Sequence, residues 1–321
     1  MKATIIIATY NEQDYIEECI DSFENQTINK NEYEILCIDG SSIDKTVDIL
    51  KELKDIYSNL HVLKNHRKIQ AYAFNLGIQA AKSENIFIVG AHAKYPSDFL
   101  EASLKSLEEN EVDCVGGKII MSGKNKTGKA YGAVRNTLIG GGISPYRYAD
   151  KSMLVETVAF GCYKKDSLLK VGGYNENLVK NQDNDINRRI IAAGGKILFD
   201  PSIKFYYYAR DSFEGIFRQL FNYGYWEAKL IKKNRDQLKI FTIIPALFFL
   251  YTILSLVLLV FKVWQPIALE AVLYIPVTLY FSIKHVFKRS KNVFLSMFLY
   301  FLIHMSIGIG FIVGAISHKG D

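Results

Sequence analysis

Short runs of continuously apolar residues alternate with amphipathic stretches from the N-terminus to about position 116. The runs at 4–8, 34–38, 60–63, 86–89 and 113–115 read as strands, and their uniform apolarity is that of strands buried on both faces. Between them, Ile16, Ile20 and Phe23, then Val47, Leu50 and Ile56, then Ala71, Phe74 and Ile78 recur at helical spacing. Such alternation predicts a parallel sheet covered by helices, an α/β architecture. The stretch 116–145, rich in Gly, Lys, Ser and Asn, breaks the pattern and predicts a mobile loop over one edge of the sheet. Order is expected again at 156–162, followed by a helix near 183–193 ended by Gly194-Gly195, and strands at 196–199 and 203–208.

Beyond this region the pattern changes twice. From 212 to 230, Phe213, Ile216, Phe217, Leu220, Phe221 and Trp226 alternate with Arg218, Gln219, Glu227 and Lys229, predicting an amphipathic helix suited to a membrane interface. Three apolar segments follow, at 240–261, 264–283 and 293–316, with Glu270 as the single Asp, Glu, Lys or Arg within them. A hydrocarbon core needs about 20 residues of helix, so each is long enough to span. The reading is therefore of an α/β domain over 1–210, an interfacial segment over 211–239 and a membrane domain over 240–321.

Charge orients these segments. Lys229, Lys232, Lys233, Arg235 and Lys239 precede the first apolar segment, and Lys284, Lys288, Arg289 and Lys291 separate the second from the third. Basic loops stay in the cytoplasm, which predicts a multi-pass protein of the cell membrane with its N-terminal domain cytoplasmic. The net charge of +6 is mostly this juxtamembrane excess, and it points to anionic lipid rather than nucleic acid. Cys19, Cys37, Cys114 and Cys162 lack metal-type spacing and predict reduced thiols.

Candidate chemistry lies where strands of an α/β sheet end, because nucleotides bind in the crevice at the carboxyl ends. Strand one runs into Thr9-Tyr10-Asn11-Glu12 and strand two into Asp39-Gly40-Ser41-Ser42-Ile43-Asp44. Tyr10 offers an aromatic face to a base, and Asp39 an acceptor for a base N–H or ribose hydroxyl. Asn11 and Asp44 read equally as caps of the following helices. Neither the GxGxxG nor the GxxxxGK[ST] pattern is present, which leaves dinucleotide and P-loop readings without support.

The ordered set Ala8-Thr9-Tyr10-Asn11-Glu12, Asp39-Gly40-Ser41-Ser42-Ile43-Asp44-Lys45-Thr46, Asn75-Leu76-Gly77-Ile78 and Gln182-Asp183-Asn184-Asp185 with Arg189 resembles the family 2 glycosyltransferases. Ala91-His92-Ala93-Lys94-Tyr95-Pro96, Val171-Gly172-Gly173-Tyr174 and Arg218-Gln219 are similar to the succinoglycan-biosynthesis subgroup. The resemblance implies a GT-A type, Rossmann-like nucleotide-sugar-binding domain and an inverting hexosyl transfer. It implies that Thr9, Tyr10, Glu12 and Asp39 hold the nucleoside, uridine being the family's usual one, with Arg67, Lys68 and Ala91 near the donor. Asp183 would be the catalytic base. Gly161, Cys162 and Arg189 would lie toward the acceptor, and Arg218 and Gln219 toward the diphosphate or acceptor.

The family's acidic metal motif is altered. Gly90 stands where the pattern has its first aspartate, and His92 holds the last position, the one expected to touch the ion. A divalent cation would offset leaving diphosphate charge, and imidazole favours manganese over magnesium. Weak binding through His92, replacement of the ion by Lys94, and loss of activity all follow from Gly90 as expectations. The implied function is transfer from a UDP-hexose to a lipid-linked saccharide in exopolysaccharide or capsule assembly. Its rivals are a polyprenyl-phosphate sugar transferase and a catalytically silent scaffold subunit of a polysaccharide assembly complex.

Overall fold

The structure, a computed structural model, describes residues 1–142, 147, 149–178, 181–233 and 240–317. Along the chain the elements are β1 Ala3–Thr9, α1 Ile16–Glu24, β2 Tyr33–Asp39, α2 Thr46–Ile56, β3 Leu60–Lys64, α3 Gln70–Ala80, β4 Asn85–Gly90, β5 Ala93–Lys94, α4 Phe99–Glu109 and β6 Cys114–Ser122. They continue with α5 Lys126–Arg135, α6 Leu138–Gly141, β7 Met153–Leu154, β8 Cys162–Lys164, α7 Lys165–Lys170, α8 Gln182–Ala192, β9 Ile197–Tyr208 and α9 Phe213–Lys233. The apolar region supplies α10 Ile240–Val260, α11 Gln265–Phe281, a π turn Ser282–Val286, α12 Phe287–Ser290 and α13 Val293–Ile316. Two compact units result, 1–120 with 148–207 and 121–147 with 208–321.

The first unit is the α/β domain. Its sheet runs β3-β2-β1-β4-β8-β6-β9-β5, with β7 paired to β9. The strands β3, β2, β1 and β4 are mutually parallel, whereas β8 is antiparallel to both β4 and β6. Ile5, Ile6 and Ile7 are all fully buried on consecutive positions, as the two-sided burial of β1 requires. Burying one such side chain contributes about 1.5–3 kcal/mol. Helix α3 lays Ala71, Phe74 and Ile78 on Ile6 and Ile38. It can approach this closely because Gly77 faces the sheet: a Cβ there would stand 2.6 Å from Ile6 Cγ2 and 2.9 Å from Ile38 Cδ1. On α2 the inward residues are Leu50 and Leu53, while Ile56, expected on that face, is 68% exposed at the helix end.

The region expected to be a loop at 116–145 is largely ordered secondary structure. Strand β6 continues to Ser122, and α5 and α6 follow. Gly116 and Gly117 sit inside the strand because neighbours leave no room for side chains: a Cβ at Gly117 would stand 2.4 Å from the Ile203 carbonyl oxygen. Residues 143–146 lie outside the described residues. The two expected strands at 196–199 and 203–208 are one continuous β9.

In the second unit, α5 and α6 pack with the C-terminal helices, α5 burying Ala130, Tyr131, Ala133 and Val134. Three segments are long and apolar enough to cross a membrane, Ile243–Val260, Gln265–Val286 and Val293–Ile316. Helices α10 and α11 form an antiparallel hairpin: Tyr251 Oη donates to the Pro266 carbonyl (3.1 Å), Thr252 Oγ1 donates to Glu270 Oε1 (2.7 Å), and Phe248 stacks on Tyr274 (4.9 Å).

Candidate active site

Strand register gathers the sequence-selected polar residues. Thr9 pairs with Asp39, Asp39 with Lys64, and Ala8 with Gly90, so the ends of β3, β2, β1 and β4 form one level row. At this row Asp39 is buried, and its carboxylate accepts from Ser42 Oγ (2.6 Å), Ser42 N–H (3.0 Å) and Thr9 Oγ1 (3.4 Å). Gly40 donates its N–H to the Thr9 carbonyl (2.8 Å) and lies under Tyr10, whose ring is half exposed. The two loops interlock: Asn11 Oδ1 accepts from Ile43 N–H, and Thr46 Oγ1 accepts from Glu12 N–H. Asp44 accepts from both Thr46 N–H and Thr46 Oγ1 at the start of α2, which makes it a capping residue. These bonds hold its carboxyl below the usual range, against a smaller opposing effect of burial than of bonding in sum.

Past β3, Asn65 Oδ1 accepts from the N–H groups of Arg67 and Lys68, with Lys68 in the left-handed region (φ 59°). The Arg67 guanidinium stacks over Tyr72 at 4.5 Å and pairs with Glu176 at 2.7 Å. Asn75 of α3 holds the same loop, accepting from Tyr174 N–H and donating to the Tyr174 carbonyl and to Glu176. Gly173, at φ 71°, fits above Asn75 where a Cβ would stand 2.6 Å from its Oδ1. Glu176 was invisible as a site residue in the sequence, since nothing in its neighbourhood announces the pairing with Arg67.

After β4 the altered motif has its own packing. Gly90 faces the ring of Phe160, and a Cβ at Gly90 would stand 2.5 Å from Phe160 Cζ. Phe160 itself is in the left-handed region (φ 52°), rare for a bulky residue. The ring thus occupies the room that a side chain at 90 would need. His92 is nearly buried, packed at a tilt against the Tyr15 ring with centroids 3.5 Å apart, and its Nδ1 is 2.8 Å from Glu12 Oε2. Its Nε2 is buried and has no hydrogen-bond partner among the described residues. A carboxylate that fixes one imidazole nitrogen and leaves the other free is the usual support of a metal-ligating histidine. No group of three His, Cys, Asp or Glu that could hold an ion occurs among the described residues. His92 Nε2 is thus the one nitrogen that the altered motif could offer a cation, with no supporting cluster of His, Cys, Asp or Glu ligands among the described residues. Lys94 pairs with Glu18 at 3.2 Å, and Ala91 is buried.

Helix α8 presents the carboxylates. Its buried face carries Gln182, Ile186, Asn187 and Ile190, one and two turns apart, with Asp183 beside it at the edge of that face and partly exposed. Asn187, fully buried, accepts from Tyr163 Oη (3.0 Å) and donates to Thr157 Oγ1 (2.9 Å), which fixes the rotation of the helix. Of the two acids in the first turn, Asp185 is paired with Arg189 at 2.7 Å, and Arg189 also donates to the Val171 carbonyl at 2.6 Å. Arg189 is thereby committed to holding the 171 loop. Asp183 makes no hydrogen bond among the described residues, and burial pushes its carboxyl up to about 6. Its charge in turn disfavours ionisation of the buried Tyr163 and Tyr174, whose hydroxyls burial already pushes up. Gly161 is wedged against Cys114 Sγ (2.7 Å from a built Cβ), and Cys162 is buried in β8, so both shape the wall rather than offer polar groups.

Arg218 and Gln219 lie on α9 in the second unit. Arg218 pairs with Glu214 at 2.5 Å, and Gln219 Oε1 accepts from Tyr131 Oη at 3.4 Å.

The sequence model of glycosyl transferase family 2 matches residues 4–172, more than half of the chain. The chain belongs to family 2. A full-length relative agrees: the dolichyl N-acetyl-alpha-D-glucosaminyl phosphate 3-beta-D-2,3-diacetamido-2,3-dideoxy-beta-D-glucuronosyltransferase of Methanococcus voltae is 31% identical over 98% of this chain and 97% of its own. The succinoglycan biosynthesis protein ExoA of Rhizobium meliloti is 27% identical over 72% of this chain and 70% of its own. Among solved structures, the mannosyltransferase PcManGT of Pyrobaculum calidifontis, in complex with GDP-Man and Mn2+, superposes with a TM-score of 0.55 at 20% identity, covering 72% of this chain and 64% of that one. The expected GT-A fold is the fold observed, and the protein is a family 2 glycosyltransferase enzyme.

Proposed function

We propose that this family 2 glycosyltransferase moves a sugar from a nucleotide donor onto a lipid-linked saccharide, with inversion, at the cytoplasmic face of the cell membrane. The observation that carries the reading is Asp183, a carboxylate in the first turn of α8 at the edge of the helix's buried face, with its proton affinity raised toward neutrality. An attacking hydroxyl must lose its proton as it bonds to the anomeric carbon, and a base with an affinity near the working pH serves that step well. The C–O bond to the acceptor forms while the bond to the leaving nucleoside diphosphate breaks on the opposite face. Thr9, Tyr10 and Asp39 at the ends of β1 and β2 would take the nucleoside, and Arg67 and Lys68 would face the diphosphate. His92 Nε2 would hold a divalent ion, which supplies charge to offset the departing diphosphate.

The lipid-linked acceptor is supported by the name of the Methanococcus relative, which specifies a dolichyl phosphate sugar, and by the apolar helices of this chain. Holding an enzyme at the bilayer where its acceptor resides raises effective concentration without added contacts. The donor we favour is a UDP-hexose or its uronic acid, and the product an exopolysaccharide or related surface glycan. The deciding experiment offers UDP- and GDP-sugars to purified protein with membrane lipid extracts and identifies products by mass. Transfer only to water-soluble acceptors, or none with any donor, would overturn the reading. Manganese with and without EDTA tests the ion separately: His92→Ala should abolish manganese-induced quenching of intrinsic Tyr fluorescence at the Tyr15–His92 contact as well as any stimulation of transfer.

A further inference from the structure

Helix α13 passes every test of length and apolarity for a membrane span, yet its surroundings within the second unit place it elsewhere. Its 24 residues extend about 36 Å, so a spanning α13 would hold its two ends on opposite sides of the bilayer. Both ends instead meet basic segments. At the C-terminal end, Lys229 Nζ donates to the Ser317 carbonyl (3.1 Å) and Lys232 Nζ to the Ala315 carbonyl (3.4 Å), and these lysines belong to the basic stretch preceding α10. At the other end, Ser290, within the basic stretch that follows α11, places its Oγ 3.2 Å from Ser296 Oγ in the first turn of α13. These two stretches flank the α10–α11 hairpin and share one side of the membrane.

The middle of α13 carries a second argument. Tyr300 Oη is 2.9 Å from Thr137 Oγ1, and His304 Nε2 donates to the Ile139 carbonyl (3.0 Å). A carbonyl only accepts, so Nε2 bears the proton and Nδ1 accepts from Tyr274 Oη at 2.7 Å. Thr137 and Ile139 follow directly on α5, which carries Lys126, Lys129 and Arg135. Charged, partly irregular chain is not found at the bilayer centre, where the midpoint of a spanning α13 would lie.

The third argument is α9. It runs parallel to α13 along its length: Phe213 meets Phe298 at 5.5 Å, a Cβ at Gly310 would stand 2.1 Å from the Phe221 carbonyl oxygen, one at Gly314 would stand 2.4 Å from that of Tyr225, and Lys229 reaches Ser317. Glycine at these points brings the two backbones together. Because α9 carries Glu214, Arg218, Glu227, Lys229 and Lys232 along its length, the pair cannot lie across the hydrocarbon. Burial agrees, since α11 buries Thr278 alone among its described residues, whereas α13 buries Ser296, Leu299, Tyr300, Ile303 and Ser306 and three glycines.

We propose that α9 and α13 form a membrane-interface layer lying in the plane of the bilayer, and that only the α10–α11 hairpin crosses it. The partner of this surface is the headgroup and upper acyl region of the lipid leaflet. Phe217, Tyr223, Phe294, Phe298 and Ile316 are exposed on the pair and supply the aromatic and apolar side chains such a layer inserts. The C-terminus then lies on the same side as the catalytic domain, with two crossings in place of three.

The test uses the full chain with a C-terminal epitope, in right-side-out and inside-out membrane vesicles. Added protease should remove the epitope in inside-out vesicles and leave it in right-side-out vesicles. Removal in right-side-out vesicles, with protection in inside-out ones, overturns the proposal. Val263→Cys in the α10–α11 link tests the hairpin on which the proposal rests, against a background of four buried native cysteines. A membrane-impermeant maleimide should modify it in right-side-out vesicles. Modification only in inside-out vesicles would show that the hairpin does not cross, a failure distinct from a misplaced α13.

Discussion

Replacing Asp183 by Asn should lower activity and raise stability together. Burial pushes the Asp183 carboxyl from its ordinary 3.8 up to about 6, with no hydrogen bond to offset the loss of water. A shift of that size corresponds to about 3 kcal/mol at 1.36 kcal/mol per unit, borne by the folded protein when the group is ionised. The sign follows from proton binding. Between pH 4 and 6 the folded state holds a proton that the unfolded state has released, so the cost is absent below about 4, grows through 6 and is fully present at pH 7 and above. An Asn amide removes the charge but still lacks a partner, so we expect a gain of about 1–2 kcal/mol at pH 8, seen as roughly 3–6 °C in melting temperature. At pH 4 the gain should vanish. Transfer should fall by about 10²–10⁴, the range of a lost general base. In the unsubstituted enzyme kcat/KM should rise with pH about a midpoint near 6 and then level. The assays are thermal melts of detergent-purified protein at pH 4, 6 and 8 and sugar transfer over the same range. Equal melting temperatures at pH 8, or transfer retained within a few-fold, would refute the assignment of Asp183 as a desolvated, unpaired base.

Three further outcomes follow from the geometry. Gly90→Ala should cost about 1–3 kcal/mol because its Cβ meets the Phe160 ring, and Phe160→Ala in the same chain should recover most of that loss, a coupling read from a double-mutant cycle in thermal melts. Tyr10→Ala, at a half-exposed ring, should raise KM for the donor by about tenfold with melting temperature unchanged, as expected for a lost stacking surface of about 1–1.5 kcal/mol. Asn187→Leu strips the partners of Tyr163 and Thr157 and should destabilise by about 2 kcal/mol; by turning α8 it should lower kcat more than it raises KM, whereas a purely structural Asn187 would lower the melting temperature alone.

The row of polar strand ends proposed to take the donor was legible because it is local. Ile5 to Ile7 and Ile35 to Ile38 are buried on consecutive positions, so their strands announce themselves, and Thr9 and Asp39 stand where those strands end. What composition hides is tertiary. The glycines at 116 and 117 read as loop residues, but Val158 and Ile203 press on them from neighbouring strands and make them strand residues. Phe160 is 70 positions from Gly90, and no periodicity joins the two. Arg189 lies in a motif with Asp183 but is spent on Asp185 and Val171, a commitment that only the folded chain displays. Hydropathy finds α13 without revealing which side its ends face, because length and apolarity are equally met by a helix buried against α9.

The level row of strand ends acts as a ruler. Asp39 on β2 and Gly90 on β4 are separated by two strand spacings, about 10 Å, fixed by backbone hydrogen bonds through β1. Side chains at one end can therefore be exchanged without altering the reach to the other. On the proposed donor site, nucleoside preference and bond formation would become separable modules: Tyr10 could be exchanged to suit a different base while the spacing across the row stays set by the sheet.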